Sequence, residues 1–432
     1  MQNQDPPQDQ IQALIDFYAQ GKYQQVLKET KWLLQQFPDS IVLYGFLGTA
    51  YLGLRQFDAA MDSYKQILKI KPDYADGYYY IGNVLKAKGD LKAAVDSYKQ
   101  ALKIKPSFVV ALNNLGNALK EKGELEAAID CYKQALKIRP DIAEPYNNMG
   151  NALYDKGELE AAIDSYEQAL KVKPDYAEAL WNLSGTANGI KEAEKWIKKC
   201  LAADQEHKQA KITHAALKYY HGDRSDFYDL MQSDLKDHPY VRSCSWVFNL
   251  PELPSLYFNR WAFFDAVIEI SIKDRPFYEY GVWRGDAFRY LIRTFKKGYG
   301  FDTFSGLPED WHTKNAGAYS SDGNIPEIEG GEFIVGRFEE SLPIFFSASR
   351  PMASLINFDA DLYSSTICAL NYSKPVIDHR TILIFDELII NKNWEQDEFK
   401  ALNEFCLEND CTFEVLAVSF YTKQVAVKLV GI

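Results

Sequence analysis

The residues most able to do chemistry lie in the second half of the chain. Glu279, Gly281 and Gly285 fall in "PFYEYGVWRGDAFRYL", where a short aromatic strand pattern, two glycines four residues apart and a helical pattern follow one another. Asp302 stands 21 positions after Gly281, at the end of the next strand pattern. Asp359 and Asp361 come from "FDADLYSST", and Asp386 and Glu387 from "FDE", again at strand ends. Strand, glycine turn and helix in that order build a nucleotide pocket, and an acid ending the second strand can take both hydroxyls of a ribose. The arrangement fits either NAD or S-adenosylmethionine. Trp283 separates them, because a dinucleotide needs a glycine near that point so that the backbone can approach the pyrophosphate. S-adenosylmethionine has no phosphate and tolerates a bulky residue there.

Methyl transfer from a sulfonium is an in-line displacement, so a protein must align acceptor oxygen, methyl and sulfur and then remove a proton. Asp359 is the first candidate for the base. His312 is the second, since its ordinary pKa suits proton removal near neutrality. It sits in "GLPEDWHTKNAGAYSSDGNIP", long, polar and glycine-bearing like an active-site lid, although a loop histidine is also often a solvated side chain. Asp359 and Asp386 are 27 residues apart, which suits one strand–helix–strand step. Clustered carboxylates at those strand ends suit Mg²⁺. In the other reading Asp359 bonds an amino group and Glu387 caps the following helix. Arg284 either meets a carboxylate or faces solvent, and His379 is structural.

These residues need a scaffold of alternating strands and helices. Strand patterns occupy 276–280, 298–302, 332–335, 354–358, 381–385, 413–418 and 424–430. Helical segments separate the earlier ones; "DAFRYLIRTF" places Phe288, Leu291, Ile292 and Phe295 on one face. Such alternation implies a mostly parallel, doubly wound α/β sheet, and the last two strands are too close for a crossover and should form an antiparallel hairpin. Residues 211–255 read as a helical bridge, with helices in "AKITHAALKYYHGD" and "DFYDLMQSDLKDHP" and a long aromatic helix starting near Ser255.

"EYGVWRGDA", "YGFDTFSGLPEDW", "GRFEESLP", "INFDADLYSST" and "ILIFDELI", in this order, resemble the macrocin O-methyltransferase (TylF-like) family over roughly 256–432. The resemblance implies a Rossmann-like class I methyltransferase domain, S-adenosylmethionine as cofactor, and methylation of a hydroxyl on a sugar or natural product. It implies that Glu279, Gly281 and Gly285 border the methionine part and that Asp302 holds the ribose. It also implies Asp359, Asp386 and Glu387 as Mg²⁺ ligands, with a second aspartate in the family where Glu387 stands here.

The first half carries a repeat. Prolines at 72, 106, 140 and 174 are spaced by 34, as are Gly48, Gly82, Gly116 and Gly150, and Tyr64, Tyr98, Tyr132 and Tyr166. Ala60, Ala94, Ala128 and Ala162 keep the same step. This pattern resembles tetratricopeptide (TPR) repeats, each a helix–turn–helix. Clear units run 41–74, 75–108, 109–142 and 143–176, with weaker copies on either side, giving an all-α solenoid over 1–210. Its inner helices carry Tyr79, Asn83, Asn113, Asn117, Asn147, Asn151, Trp181 and Asn182. Asparagine offers both donor and acceptor, so these residues are candidates for a ladder that binds an extended peptide. The alternative is that they recur because the repeats were duplicated.

The net charge of −12 argues against nucleic acid or an anionic membrane as partner. The start, "MQNQDPPQDQ", has no signal-peptide character, and no apolar run is long enough for a membrane span. Six scattered cysteines without a CxxC argue against a zinc or disulfide framework and point to the cytoplasm. The sequence therefore leads to an S-adenosylmethionine-dependent O-methyltransferase acting on a small-molecule or glycan hydroxyl, with a TPR arm for a protein or peptide partner. The alternative is a TPR scaffold whose C-terminal domain binds the cofactor without catalysis or has decayed.

Overall fold

The computed structural model describes residues 5–432 apart from 311, 313–315, 318 and 322. It divides into two compact units, Met1–Ala152 and Leu153–Ile432. Repeat periodicity sets the sequence boundary near 210, whereas compactness sets this one, so the last repeats share a unit with the α/β residues.

In the first unit the repeats are helix pairs such as Ile41–Gly53 with Phe57–Ile70, Ala75–Ala87 with Leu91–Ile104, and Val109–Glu121 with Leu125–Ile138. Each second helix ends one residue before the capping position that precedes the proline, which can neither donate a backbone bond nor accommodate a continuing turn. The recurring glycine and tyrosine prove to be partners. A Cβ on Gly48, Gly82 or Gly116 would lie 2.4, 2.6 or 2.5 Å from the ring of Tyr64, Tyr98 or Tyr132. The bare glycine backbone is what lets each ring lie across the first helix.

The second unit continues the pairs with Leu159–Val172, Ala177–Gly185 and Ile190–Ala203, then adds Lys208–Tyr220, Ser225–Gln232 and Pro239–Phe248. Where a helix was expected from Ser255, the chain first forms a strand. Residues Ser255–Tyr257 (β1) pair in parallel with a strand roughly 160 residues later, Ser255 opposite Ala417, and only then does Asn259 cap the helix Arg260–Ile270. The remaining strands are Phe277–Tyr280 (β2), Gly298–Asp302 (β3), Gly331–Val335 (β4), Leu355–Phe358 (β5), Ile382–Phe385 (β6), Thr412–Ser419 (β7) and Val425–Val430 (β8).

Among the described residues these make one eight-stranded mixed sheet in the order β1-β7-β8-β6-β5-β2-β3-β4. β8 runs antiparallel to β6 and β7, and the other pairings are parallel. Strands β2, β5 and β6 are buried on both faces. Phe277, Leu355, Ile382 and Ile384 pack with Phe263, Phe264, Phe288 and Leu291 from one layer of helices. Tyr278, Tyr280, Ile356, Phe358, Leu383 and Phe385 pack with Leu342, Leu370, Leu402 and Phe405 from another. Two covered faces explain why these strands read as short, continuous apolar runs.

Candidate active site

Near the carboxyl ends of four adjacent strands, β3, β2, β5 and β6, an aromatic row forms. Phe301, Tyr280, Phe358 and Phe385 lie side by side in register, with successive ring centroids 4.8, 5.4 and 4.8 Å apart and near-parallel planes. The next residue on each strand carries the site: Asp302, Gly281, Asp359 and Asp386. Their backbones are fixed by extensions of the ladder, as Gly281 N donates to Phe301 O at 2.9 Å, Asp359 N to Tyr280 O at 2.8 Å and Asp386 N to Phe358 O at 2.9 Å. The sheet thus delivers four cavity-lining positions to one edge above an aromatic floor.

That edge borders a cavity of about 240 Å³ at the carboxyl ends of β2, β3, β5 and β6. From β2 the chain runs outward to β3 and β4, then returns to β5 on the other side of β2, so the cavity sits at a topological switch point. Among the described residues six carboxylates line it, Asp302, Glu339, Asp359, Asp361, Asp386 and Glu387, against two arginines, Arg260 and Arg337.

Gly281 has φ +89°, and a Cβ there would lie 1.8 Å from the carbonyl oxygen of Asp359. Trp283 adopts φ +48°, a glycine-like backbone for a large side chain. Its ring lines the cavity and meets Tyr319 edge-on at 5.7 Å, and Arg284 lies over it at 5.2 Å. Asp302 accepts from Trp283 N and from Phe304 N, both at 2.6 Å. Burial pushes its carboxyl up, against the lowering effect of these bonds. Gly285, by contrast, is not among the cavity's lining residues; it caps the helix Asp286–Phe295 with φ +79° and packs near Pro326 and Ile328.

Glu279 also lies behind the wall. It is 1% exposed, and its Oε2 has no hydrogen-bond partner among the described residues. Its neighbour in register is Asn357, fully buried, with neither amide atom partnered among those residues. Burial, and then the charge of Asp386, hold the Glu279 carboxyl well above the usual carboxylate range. Burial likewise raises Asp359 well above that range, with repulsion from Asp386 and Asp361 adding to it and Arg260 opposing it. Asp361, with φ +60°, is raised by burial and then by Glu387.

The three expected metal ligands are not arranged as such. Asp386 is clamped by Arg260, whose Nη2 is 2.8 and 2.7 Å from its two oxygens, and by Gln424 Nε2 at 2.6 Å. Glu387 accepts from Lys423 Nζ at 2.9 Å and Asn391 Nδ2 at 2.6 Å. Among the described residues no group of three His, Cys, Asp or Glu side chains is placed to hold a metal ion. His312 lies outside the cavity, in a neighbouring depression with Glu309, Tyr363 and Ser364, and pairs with Asp397 at 2.9 Å. Part of its expected lid falls outside the described residues.

Arg260, Arg337 and Lys423 had no place in the sequence reading. One signal could have exposed the floor: the pair Phe-Asp recurs at 301–302, 358–359 and 385–386.

In the repeat groove the asparagines are engaged within the array. Asn83 Oδ1 accepts from Tyr98 Oη at 2.8 Å and Asn114 Nδ2 at 3.0 Å, and Asn117 Oδ1 accepts from Tyr132 Oη at 2.7 Å. Asn113 Oδ1 accepts from Asn148 Nδ2 at 3.0 Å, and Asn114 Nδ2 also reaches Tyr79 Oη at 3.2 Å. Asn147 is buried, and Asn151 lies one period after Asn117.

The TPR repeat family matches residues 48–89, 82–123, 116–157 and 150–184, so the first half carries TPR repeats, a protein-interaction scaffold. Solved structures similar to the chain include YrrB, described as a TPR protein with an unusual peptide-binding site, at 20% identity over 42% of this chain and 95% of that one, TM-score 0.34. They also include a thermophilic TPR protein of Thermus thermophilus, TTC0263, at 22% over 40% and 94%, TM-score 0.36. PilF of Pseudomonas aeruginosa is similar at 19% over 44% and 89%, TM-score 0.39. No curated protein matches the chain. Among the described residues no helix is long and apolar enough to cross a membrane.

Proposed function

We propose that the second unit is an S-adenosylmethionine-dependent O-methyltransferase of the TylF-like kind on a Rossmann-like fold, and that the TPR repeats bring it a protein or peptide partner. The observation that carries this is the switch-point cavity, where Asp302, Asp359 and Asp361 line the wall without an ion-pair partner among the described residues. Buried carboxylates that outnumber the cations around them favour a positively charged occupant and disfavour a diphosphate. Trp283 filling the position where a dinucleotide needs open backbone argues the same way.

When bound, S-adenosylmethionine supplies an activated methyl group on a positive sulfur. Asp302 would receive the ribose hydroxyls on the lone pairs that Trp283 and Phe304 leave open. Gly281 lets the end of β2 pass against the backbone of Asp359, which shapes the cavity wall. Asp359 would take the proton from the acceptor hydroxyl. The acceptor class is a hydroxyl of a sugar or related small molecule or glycan.

A second reading has one observation in its favour. Both oxygens of Asp302 already accept backbone N–H groups at 2.6 Å, as an acid with a purely structural role would. The chain would then be a TPR scaffold whose second unit binds the cofactor without catalysis, or no longer binds it. Calorimetry tests the cofactor and methyl transfer tests catalysis: no heat of binding with S-adenosylmethionine removes the enzyme, and micromolar binding lost in Asp302→Ala without any methyl incorporation leaves only the non-catalytic binder. Labelled methyl incorporation into cell extract would then identify the acceptor.

A further inference from the structure

We propose that Arg260 and Lys423 are the resident cations of this site, standing in for the divalent ion that its carboxylate cluster would otherwise call for. The acceptor side of the cavity then works without a metal. That role rests on the methyl-transfer reading; the charge arrangement does not.

A divalent ion such as Mg²⁺ demands about six oxygens in near-octahedral order, so each ligand must turn a free lone pair toward it. Asp386 has both oxygens on Arg260 Nη2, and Oδ1 also receives Gln424 Nε2. Glu387 has one oxygen on Lys423 Nζ and the other on Asn391 Nδ2, while Lys423 Nζ is further held by Asn391 Oδ1 at 3.0 Å. A metal would have to displace two unit charges and two amides, or sit beside them against their repulsion. The arrangement supplies equal neutralisation with no bound ion.

Both cations are delivered by elements packed on the last repeats. Arg260 opens its helix, where its backbone N–H has no partner in the helix itself. That N–H donates to Tyr154 Oη at 3.2 Å, at the end of the repeat helix Ala143–Asp155. The preceding Asn259 caps the helix through Trp261 N at 2.9 Å. Lys423 stands in the β7–β8 turn with φ +67°. Two residues earlier Tyr421 donates to Asn182 Oδ1 at 3.0 Å, lies 5.3 Å from the Trp181 ring and covers Gly185. Repeat side chains thus set where both positive charges stand. With Asp386 and Glu387 neutralised, Asp359 and Asp361 remain as the inner acids open to a cationic cofactor and an acceptor proton.

The test is a Mn²⁺ titration of the full chain followed by electron paramagnetic resonance. The wild type is expected to leave the spectrum of free Mn²⁺ unchanged up to millimolar concentration. Arg260→Gln with Lys423→Gln should gain one bound Mn²⁺, and adding Asp386→Asn should remove it. One equivalent bound to the wild type and lost in Asp386→Asn overturns the proposal, as does a double variant that folds by circular dichroism yet binds none. Should the double variant not fold, Lys423→Gln alone and the wild-type titration still decide. Calorimetry with S-adenosylmethionine in EDTA keeps the readings apart: no heat with the expected Mn²⁺ pattern removes methyl transfer and leaves the cation assignment standing.

Discussion

Gly281 passes so close to Asp359 that a single added carbon would lie 1.8 Å from the aspartate's carbonyl oxygen. This is a backbone-to-backbone approach between the ends of β2 and β5, so no rotamer change can relieve it. The φ of +89° adds a second penalty for any L side chain. Gly281→Ala should therefore destabilise the second unit by about 2 kcal/mol or more. It should also abolish cofactor binding, as the two strand ends part. Gly45→Ala is the control, since nothing lies within 4 Å of its added carbon, and it should raise stability by up to about 1 kcal/mol through helix propensity. Thermal unfolding of both variants checks this; equal melting temperatures would remove the argument.

Glu279 makes a prediction about pH. Its carboxyl is held well above the usual range by burial, so between roughly pH 4 and its native pKa the folded state binds a proton that the unfolded state releases. Its contribution is thus fully present below pH ~4 and is lost as pH rises through the raised native value. Glu279→Gln removes that loss. At pH ~8 the variant should melt higher than the wild type, by about 2–4 °C per kcal/mol recovered, and the difference should shrink toward pH ~5. Melting curves at both pH values check it, and a variant equally or less stable at the higher pH would contradict the assignment.

The acid-lined cavity predicts how ligands rank. S-adenosylhomocysteine has the same adenosine and amino-acid parts but lacks the sulfonium charge. If Asp359 and Asp361 set the potential, S-adenosylmethionine should bind about tenfold tighter, a difference of about 1.4 kcal/mol. Asp361→Asn should narrow the gap. NADH, with its diphosphate, should not bind. Calorimetry at fixed salt measures all three, and a preference for the uncharged thioether would mean that the carboxylates are protonated and exert no field.

Strands buried on both faces were readable because their patterns needed no partner to be recognised: "GYGFD" forms β3 over the same residues. β1 was not readable, because three residues, "SLY", carry no period and become a strand only by pairing with β7. Arg260 was invisible for a related reason. Its partners Tyr154 and Asp386 lie 106 residues before it and 126 after it. The carboxylates Asp302, Asp359 and Asp386 were legible as strand ends, yet Arg260 and Lys423, which pair with Asp386 and Glu387, were not, so a metal was expected at Asp359, Asp386 and Glu387. In the repeats the 34-residue step was plain, but the constant offset of 15 from Asn83 to Tyr98 and from Asn117 to Tyr132 passed unread. That offset places the asparagine oxygen on the tyrosine hydroxyl.

Those bonds divide the asparagine ladder into structural and binding halves. Asn83 Oδ1 serves both Tyr98 Oη and Asn114 Nδ2, so Asn83→Ala removes an acceptor used twice. The expected cost is about 1–2 kcal/mol. Tyr98→Phe removes one of the two bonds without disturbing the ring that covers Gly82. A double-mutant cycle between the two positions, measured by denaturant unfolding of the full chain, should give a coupling of about 1 kcal/mol. A coupling near zero would mean that the asparagine oxygen is not engaged in solution and stays open to a peptide. With the coupling established, any fall in affinity for a candidate peptide in Asn83→Ala that exceeds the fall in Tyr98→Phe reports on the asparagine amide nitrogen.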